Sequence, residues 1–396
     1  MENVKLDDIC IFIRNGANIK NDVSKKGIPI TRIETIANGN IDEMHMGYAD
    51  IFDNKYEGYY LKKNDILMSH INSMKHLGKV AICDEDKKII HGMNLLDIRL
   101  KSEVDAKYLY YFFKSNNFKR KLNKIAKQSV NQSSFSVNDF KKIRISIHEK
   151  SEQKDISAKL DKVQEIIDIR KKQFGELDEL VKAKFVEMFE KDNVLFERLL
   201  IKDAIEKKYI EKPLDGNHGN KHPKVSDYVQ RGIPFLMANN MENGNVDLNN
   251  CNFITKEQAN SLDKGFAKDN DVLITHKGTI GKTAILHTNY EYVMLTPQIT
   301  YYRTNSRYIL PEYLKAYFDS EKFQSKMKNI ASSGSTRAYI GITEQQKLEL
   351  IVPPIEQQLK FVNIANKVNK QKLVLQKSLE ETQKLQESLM NKYFGG

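Results

Sequence analysis

With 396 residues, 40% of them hydrophobic and including 18 Tyr and 18 Phe, the chain can fill two or three ordinary cores, which excludes a disordered polymer. Its net charge of +11, from 63 basic against 52 acidic side chains, favours a polyanionic partner, nucleic acid ahead of a membrane surface. Cys10, Cys83 and Cys251 are too few and too scattered for a disulfide framework or a zinc spacing, and neither a signal peptide nor a membrane span is read, so the cytoplasm is the expected compartment.

Taken in order, residues 1–150 read as a globular domain of mixed strands and helices. Short β-branched runs at 28–33, 65–69, 80–82 and 143–147 predict strands, and the asparagine-glycine steps predict turns. Aromatic and leucine residues at helical spacing predict one core-facing helix over 106–125. A polar segment follows at 127–134. Side chains such as its Gln128, Asn131 and Gln132 can reach base edges or phosphates.

Residues 151–192 then predict a long spacer helix. Ile156, Leu160, Val163, Ile167, Arg170, Phe174, Leu177, Val181, Lys184 and Met188 recur at alternating steps of three and four, and most of them are apolar. Residues 193–353 read as a second globular domain, with a helix predicted over 311–330 and a polar segment at 332–337. The last element, 354–396, repeats the narrow seam through Ala365, Val368, Lys372, Leu375, Leu379, Thr382, Gln386, Leu389 and Tyr393. Roughly 40 residues at ~1.5 Å each make a rod too long for one core. Two rods of matched length predict an antiparallel coiled coil.

The halves are copies of one another. Gly27-Ile28-Pro29 recurs as Gly232-Ile233-Pro234, and Asn64-Asp65-Ile66-Leu67 as Asn270-Asp271-Val272-Leu273. Gly78-Lys79-Val80-Ala81-Ile82 recurs as Gly281-Lys282-Thr283-Ala284-Ile285, at an offset that stays near 205 residues. Register held over so many blocks is the mark of a tandem duplication. The fold class expected is therefore α+β: two duplicated recognition domains separated by two long helices.

Enzyme signatures are weak. Val352-Pro353-Pro354-Ile355 lacks the polar residue and the aromatic that would flank the prolines of an amino-methyltransferase loop. Gly281-Lys282-Thr283 resembles the tail of a phosphate-binding loop, but the first glycine of that pattern falls on His276. Asp65 with Glu85 and Lys87 could form a nuclease site, yet the last two stand in a charged turn. His70 and His276 recur without a cluster of further ligands. No catalytic, metal or cofactor residue is assigned.

Taken together, Asn64-Asp65-Ile66-Leu67, Gly78-Lys79-Val80-Ala81-Ile82, Glu152-Gln153 and their second-half counterparts, including Pro353-Pro354-Ile355-Glu356-Gln357-Gln358, resemble the specificity subunit of a type I restriction-modification system. The resemblance spans essentially the whole chain. One departure is His148-Glu149-Lys150, where the second half has prolines. The resemblance implies a non-catalytic subunit whose two target-recognition domains each read half of a split sequence in double-stranded DNA. It implies methyltransferase subunits bringing S-adenosylmethionine and restriction subunits using ATP and Mg; a roughly two-fold pair of rods offers two equivalent surfaces, so two methyltransferase subunits are expected to dock on the exposed faces of the helices. The candidate DNA contacts are Ser69, His70, Lys75, Gln128, Asn131 and Gln132 in the first half. In the second they are Thr275, His276, Lys277, Thr279, Ser335, Thr336 and Arg337. For both sets to meet one face of a duplex, their centres should lie on the order of 10 bp apart. The competing readings are a self-contained DNA-modifying enzyme and a helical adaptor without a nucleic-acid partner.

Overall fold

The computed structural model describes residues 2–23, 26–51, 54–129, 132–191, 196–332 and 338–395. The chain divides into two compact units, 1–172 with 376–396 and 173–375, so each long helix contributes one half to each unit.

In the first unit an antiparallel sheet runs in the order Cys10–Asn15, Leu95–Leu100, Ile66–Ser69, Val80–Ile82. Alternation of side chains across a strand gives the sheet two buried faces. Ile66, Met68 and Ile98 pack on helices, while Leu67, Ala81 and Leu95 enter a smaller core. A second sheet runs Gly47–Ala49, Ile28–Ile30, Lys87–Ile90, Tyr60–Leu61, with its central pair parallel. Glu2–Lys5 pairs with Arg144–Ile147 and brings the two ends of the domain together.

The second unit repeats this plan. Its main sheet runs Leu214–Asp215, Ile299–Tyr302, Val272–Lys277, Thr279–Ile285. Its second sheet runs Asn252–Ile254, Ile233–Leu236, Val293–Leu295, Phe266–Ala267, again with a parallel central pair. Glu197–Leu200 closes the domain against Glu349–Val352. The duplication read in the sequence is thus a duplication of strand order.

The helices expected over 106–125 and 311–330 are each broken in two. Ala106–Lys114 and Asn116–Ile125 meet at Ser115, and Pro311–Asp319 and Glu321–Ser332 meet at Ser320. Both serines are extended, with ψ of 153° and 145°. Their hydroxyls accept hydrogen bonds from the backbone N–H of Phe118 and Phe323 at 3.2 and 3.4 Å. A serine that caps a new helix competes with continuing the old one.

The long helices span Lys150–Phe189 and Ile355–Phe394. Within each unit their halves pack antiparallel. Gln386 donates to Gln164 and Arg170 to the carbonyl of Ser378 in the first unit, while Lys372 meets Asp178 in the second. The apolar ends of the seams enter the domain cores. Ile156, Leu160 and Phe394 do so in the first unit, and Phe185, Phe189 and Phe361 in the second.

Both helices open on a buried glutamine that fastens them to their domain. Gln153 accepts from Asp105 N–H at 2.9 Å and donates to the carbonyl of His148 at 2.8 Å. Gln358 accepts from Leu310 N–H at 2.9 Å and donates to the carbonyls of Tyr308 and Pro353. The first junction therefore forms without the prolines of the second.

Candidate nucleic-acid interface

The repeated motifs build a frame. Asn64 and Asn270 sit at φ of 71° and 67°, a left-handed conformation that asparagine tolerates better than most residues. Each aims the next residue, Asp65 or Asp271, into the protein, where it accepts a backbone N–H from Lys62 or Lys268 at 2.7 Å. Arg99 then binds Asp65 through two nitrogens at 2.7 Å, and Arg303 binds Asp271 at 2.9 and 2.7 Å. Such two-point pairing satisfies carboxylates that are almost wholly buried.

Gly78 and Gly281 also share a conformation, with φ of 75° and 85°. A Cβ on either would stand 2.3 or 2.2 Å from the side-chain tip of Leu122 or Gln324 on the neighbouring helix, which would have to move, and the left-handed backbone itself favours glycine at both positions. The lysines that follow serve the frame too: Lys79 donates to the carbonyl of Ala37 and Lys282 to that of Met241.

Four of the candidate DNA contacts belong to this frame. Ser69, His70, Thr275 and His276 are buried. Thr275 accepts Lys282 N–H at 3.0 Å, and the His276 Nδ1–H donates to the carbonyl of Ile340 at 2.9 Å. Burial pushes both imidazoles below their ordinary range, which favours the neutral ring. In this conformation all four side chains face away from solvent, and those of Thr275 and His276 hold strand ends. They look polar in sequence, but strand position rather than residue type decides which way they point.

Lys75, Gln128, Gln132, Lys277 and Thr279 are exposed, and the structure gathers them at equivalent edges. In the first unit Lys127–Gln128, Ser133–Ser134 and Ile71–Asn72 form a three-stranded sheet, and the turn carrying Lys75 leaves its last strand. Phe135 N–H joins it to the main sheet through the carbonyl of His70 at 3.2 Å. In the second unit the strand Val272–Lys277 turns at Gly278, φ 77°, directly into Thr279–Ile285. Lys277 bridges Tyr339, and Ile340 N–H reaches the carbonyl of His276 at 2.9 Å. The same joint thus presents a longer loop in one unit and a tight hairpin in the other. Asn131, Ser335, Thr336 and Arg337 lie outside the described residues.

Tyr339, exposed on the second of these edges, escaped the sequence reading, and Lys127, exposed on the first, was read within the polar segment but not singled out as a contact. The signal was membership of the first polar segment for Lys127 and adjacency to the second for Tyr339, which becomes informative once these stretches are known to pair with residues roughly 60 away in sequence. Among the described residues no group of three or more His, Cys, Asp or Glu side chains could hold a metal ion. A cleft of about 230 Å³ in the first unit is lined by Asn18, Asn21, Arg32, Glu34 and Asn94 among others, without a nucleophile paired to a base. Among the described residues no helix is long and apolar enough to cross a membrane.

Residues 1–179 match the family described as the type I restriction modification DNA specificity domain. Over 98% of its length the chain is 29% identical to the protein named as the type I restriction enzyme MjaX specificity subunit of Methanocaldococcus jannaschii, covering 91% of that protein. It is 22% identical to the EcoKI specificity subunit of Escherichia coli, covering 93% of this chain and 82% of that one. Two solved structures share the fold. One comes from work on complex assembly and conformational transition of the type I R-M system, with a TM-score of 0.60, 14% identity and coverage of 99% and 97%. The other is the type I restriction-modification S subunit from M. genitalium, with a TM-score of 0.56, 15% identity and coverage of 99% and 96%.

Proposed function

We infer that this chain, which belongs to the type I restriction-modification specificity family, is the non-catalytic DNA reader of its system, each unit recognising one half of a split target. One observation carries the reading. Two units with the same strand order and the same buried Asp–Arg frame present different exposed side chains at the same joint. A duplicated scaffold with unlike tips suits a bipartite sequence whose halves differ. Lys277 can donate to guanine acceptors, Gln128 and Gln132 can pair with adenine in two-point fashion, and Thr279 can meet either base edges or phosphate.

The long helices supply the second role, docking modification subunits that bring S-adenosylmethionine, with restriction subunits using ATP and Mg joining the assembly. Supporting this are apolar side chains that stand partly or largely exposed on the helix surfaces. Leu373 and Val374 are 72% and 71% exposed, and Ile166 and Ile169 are close to half exposed. Single exposed apolar residues are ordinary, but a run of them along helices already packed on one face suits a protein partner.

The test is to map methylated adenines in host DNA with the native chain and with residues 1–150 exchanged for those of a relative of different target. One half-site should change and the other should stay. Change in both halves, or in neither, would overturn the assignment of one half-site to each unit.

A further inference from the structure

The two units differ in charge beside their reading edges. In the first unit the helix Asn116–Ile125 carries Lys119, Arg120, Lys121 and Lys124, and Lys127 follows on the first strand of the reading sheet. No acidic residue occurs between 106 and 138, and none of these five cations forms an ion pair among the described residues. Phe118 and Leu122 face the core, so Arg120 and Lys124 project from the opposite side. Arg120 and Lys124 stand one turn apart on that face; the helix ends at Ile125, Ala126 is extended, and Lys127 carries the run of exposed cations onto the strand that holds Gln128. Like charges four apart on a helix repel one another, so the stripe disfavours the isolated helix and suits a bound polyanion.

Among its described residues the second unit has no such stripe on the counterpart helix. Its counterpart helix begins with Glu321; Lys322 lies 3.8 Å from Glu190 and Lys326 lies 3.9 Å from Glu349. Only Lys328 on that helix is an exposed cation without an ion pair among the described residues.

Building on the reading of this chain as a DNA reader, we propose that Arg120, Lys124 and Lys127 form a phosphate rail running to the first unit's reading sheet, making that unit the dominant electrostatic grip on the duplex. The rail touches backbone rather than bases, so it strengthens binding to any sequence and fixes the register in which Gln128 and Gln132 meet base edges. The second unit relies more on the groups at its hairpin.

The salt dependence of binding measures this directly, and needs no knowledge of the target because the electrostatic contribution is independent of sequence. The full chain assembled with its modification subunits is titrated with a random-sequence duplex several helical turns long, across a range of salt. For R120Q/K124Q/K127Q the slope of log affinity against log salt should become shallower by about 2.7, at ~0.9 for each phosphate no longer neutralised. K322Q/K326Q/K328Q should change it by about 1 at most. R120K/K124R/K127R should keep the native slope, separating charge from folding. An unchanged slope in the first triple, or equal changes in the two glutamine triples, overturns the rail. If that outcome comes with native target methylation, the DNA-reader assignment stands. Loss of co-purification of the glutamine triple with modification subunits, while R120K/K124R/K127R still co-purifies, reassigns the stripe to a protein-binding surface and also overturns the rail. Failure of the native complex to bind any duplex overturns both readings.

Discussion

Replacing Phe394 with alanine should release the end of the C-terminal helix from the first domain. The ring is 5% exposed, with centroids 5.2 Å from Tyr108 and 5.8 Å from Phe112, both edge-on. The residue's carbonyl accepts the amide of Asn117 at 2.8 Å, so side chain and backbone anchor the same point. Truncating a buried Phe to Ala costs about 3–5 kcal/mol. Because Phe394 is the last residue of its helix, that turn can fray to relieve part of the cavity, which places the expected loss near ~3 kcal/mol. That is a large share of a domain stability of about 5–15 kcal/mol. Urea unfolding followed by circular dichroism would report the loss, and hydrogen exchange would report weakened protection across 376–394. Leu373→Ala, at a position 72% exposed, serves as the control and should stay within about 0.5 kcal/mol of native. If F394A unfolded at the native urea concentration with protection of 376–394 unchanged, the anchoring argument would be wrong.

Other outcomes follow from charges held in the frame. Arg303→Ala should destabilise by about 3–5 kcal/mol, because it strands Asp271 as a buried and unpaired carboxylate; R303A/D271N should recover part of that loss in the same melt. Asp97 is wholly enclosed, and burial raises its pKa to about 7. With the folded value above the unfolded one, its contribution is fully present below the ordinary carboxylate range and is lost as pH rises towards about 7. Asp97→Asn should therefore raise stability by on the order of 2–4 kcal/mol at pH ~8 and by little at pH ~4. A gain independent of pH would refute that assignment. Burial also depresses His91, to about 3, so its contribution is lost as pH falls below the ordinary imidazole range, and Asp97→Asn should leave that acid-side loss in place. Lys277→Ala should relax preference at one position of the second half-site by about 1–3 kcal/mol if the lysine reads a base. An equal weakening on every sequence would assign it to phosphate instead.

Much of this architecture was legible because it rests on periodicity. The seam from Ala365 to Tyr393 is the face that packs, and Lys372 and Gln386, polar residues inside it, bind Asp178 and Gln164 across the pair. The strand order could be anticipated only as far as the repeat implied that both halves share it. Less legible were choices made by single polar atoms or by distant partners. Ser115 and Ser320 sit inside uninterrupted amphipathic patterns, and only their capping bonds reveal two helices where the spacing predicted one. Ser69, His70, Thr275 and His276 resemble Lys75 and Lys277 in polarity, yet the sheet encloses the first four. The three-stranded pairing that exposes Gln128 and Gln132 joins segments too far apart for any local pattern to show.

The separation of frame from edge also bears on how such a reader can change its target. Gln128, Gln132, Lys277 and Thr279 stand in water on short strands and turns, away from the buried Asp–Arg pairs. Substitution at such exposed positions usually moves stability by no more than about 0.5 kcal/mol, whereas removing a two-point base interaction changes preference by about 1–3 kcal/mol. Mutational drift can therefore cross large differences in sequence preference while fold stability remains almost level. The glycines and asparagines of the repeated motifs have no comparable freedom, since Asn64, Asn270, Gly78 and Gly281 all hold a left-handed backbone that other side chains adopt only at a cost. Descendants of such a chain can diverge in what they read long before they diverge in how they fold.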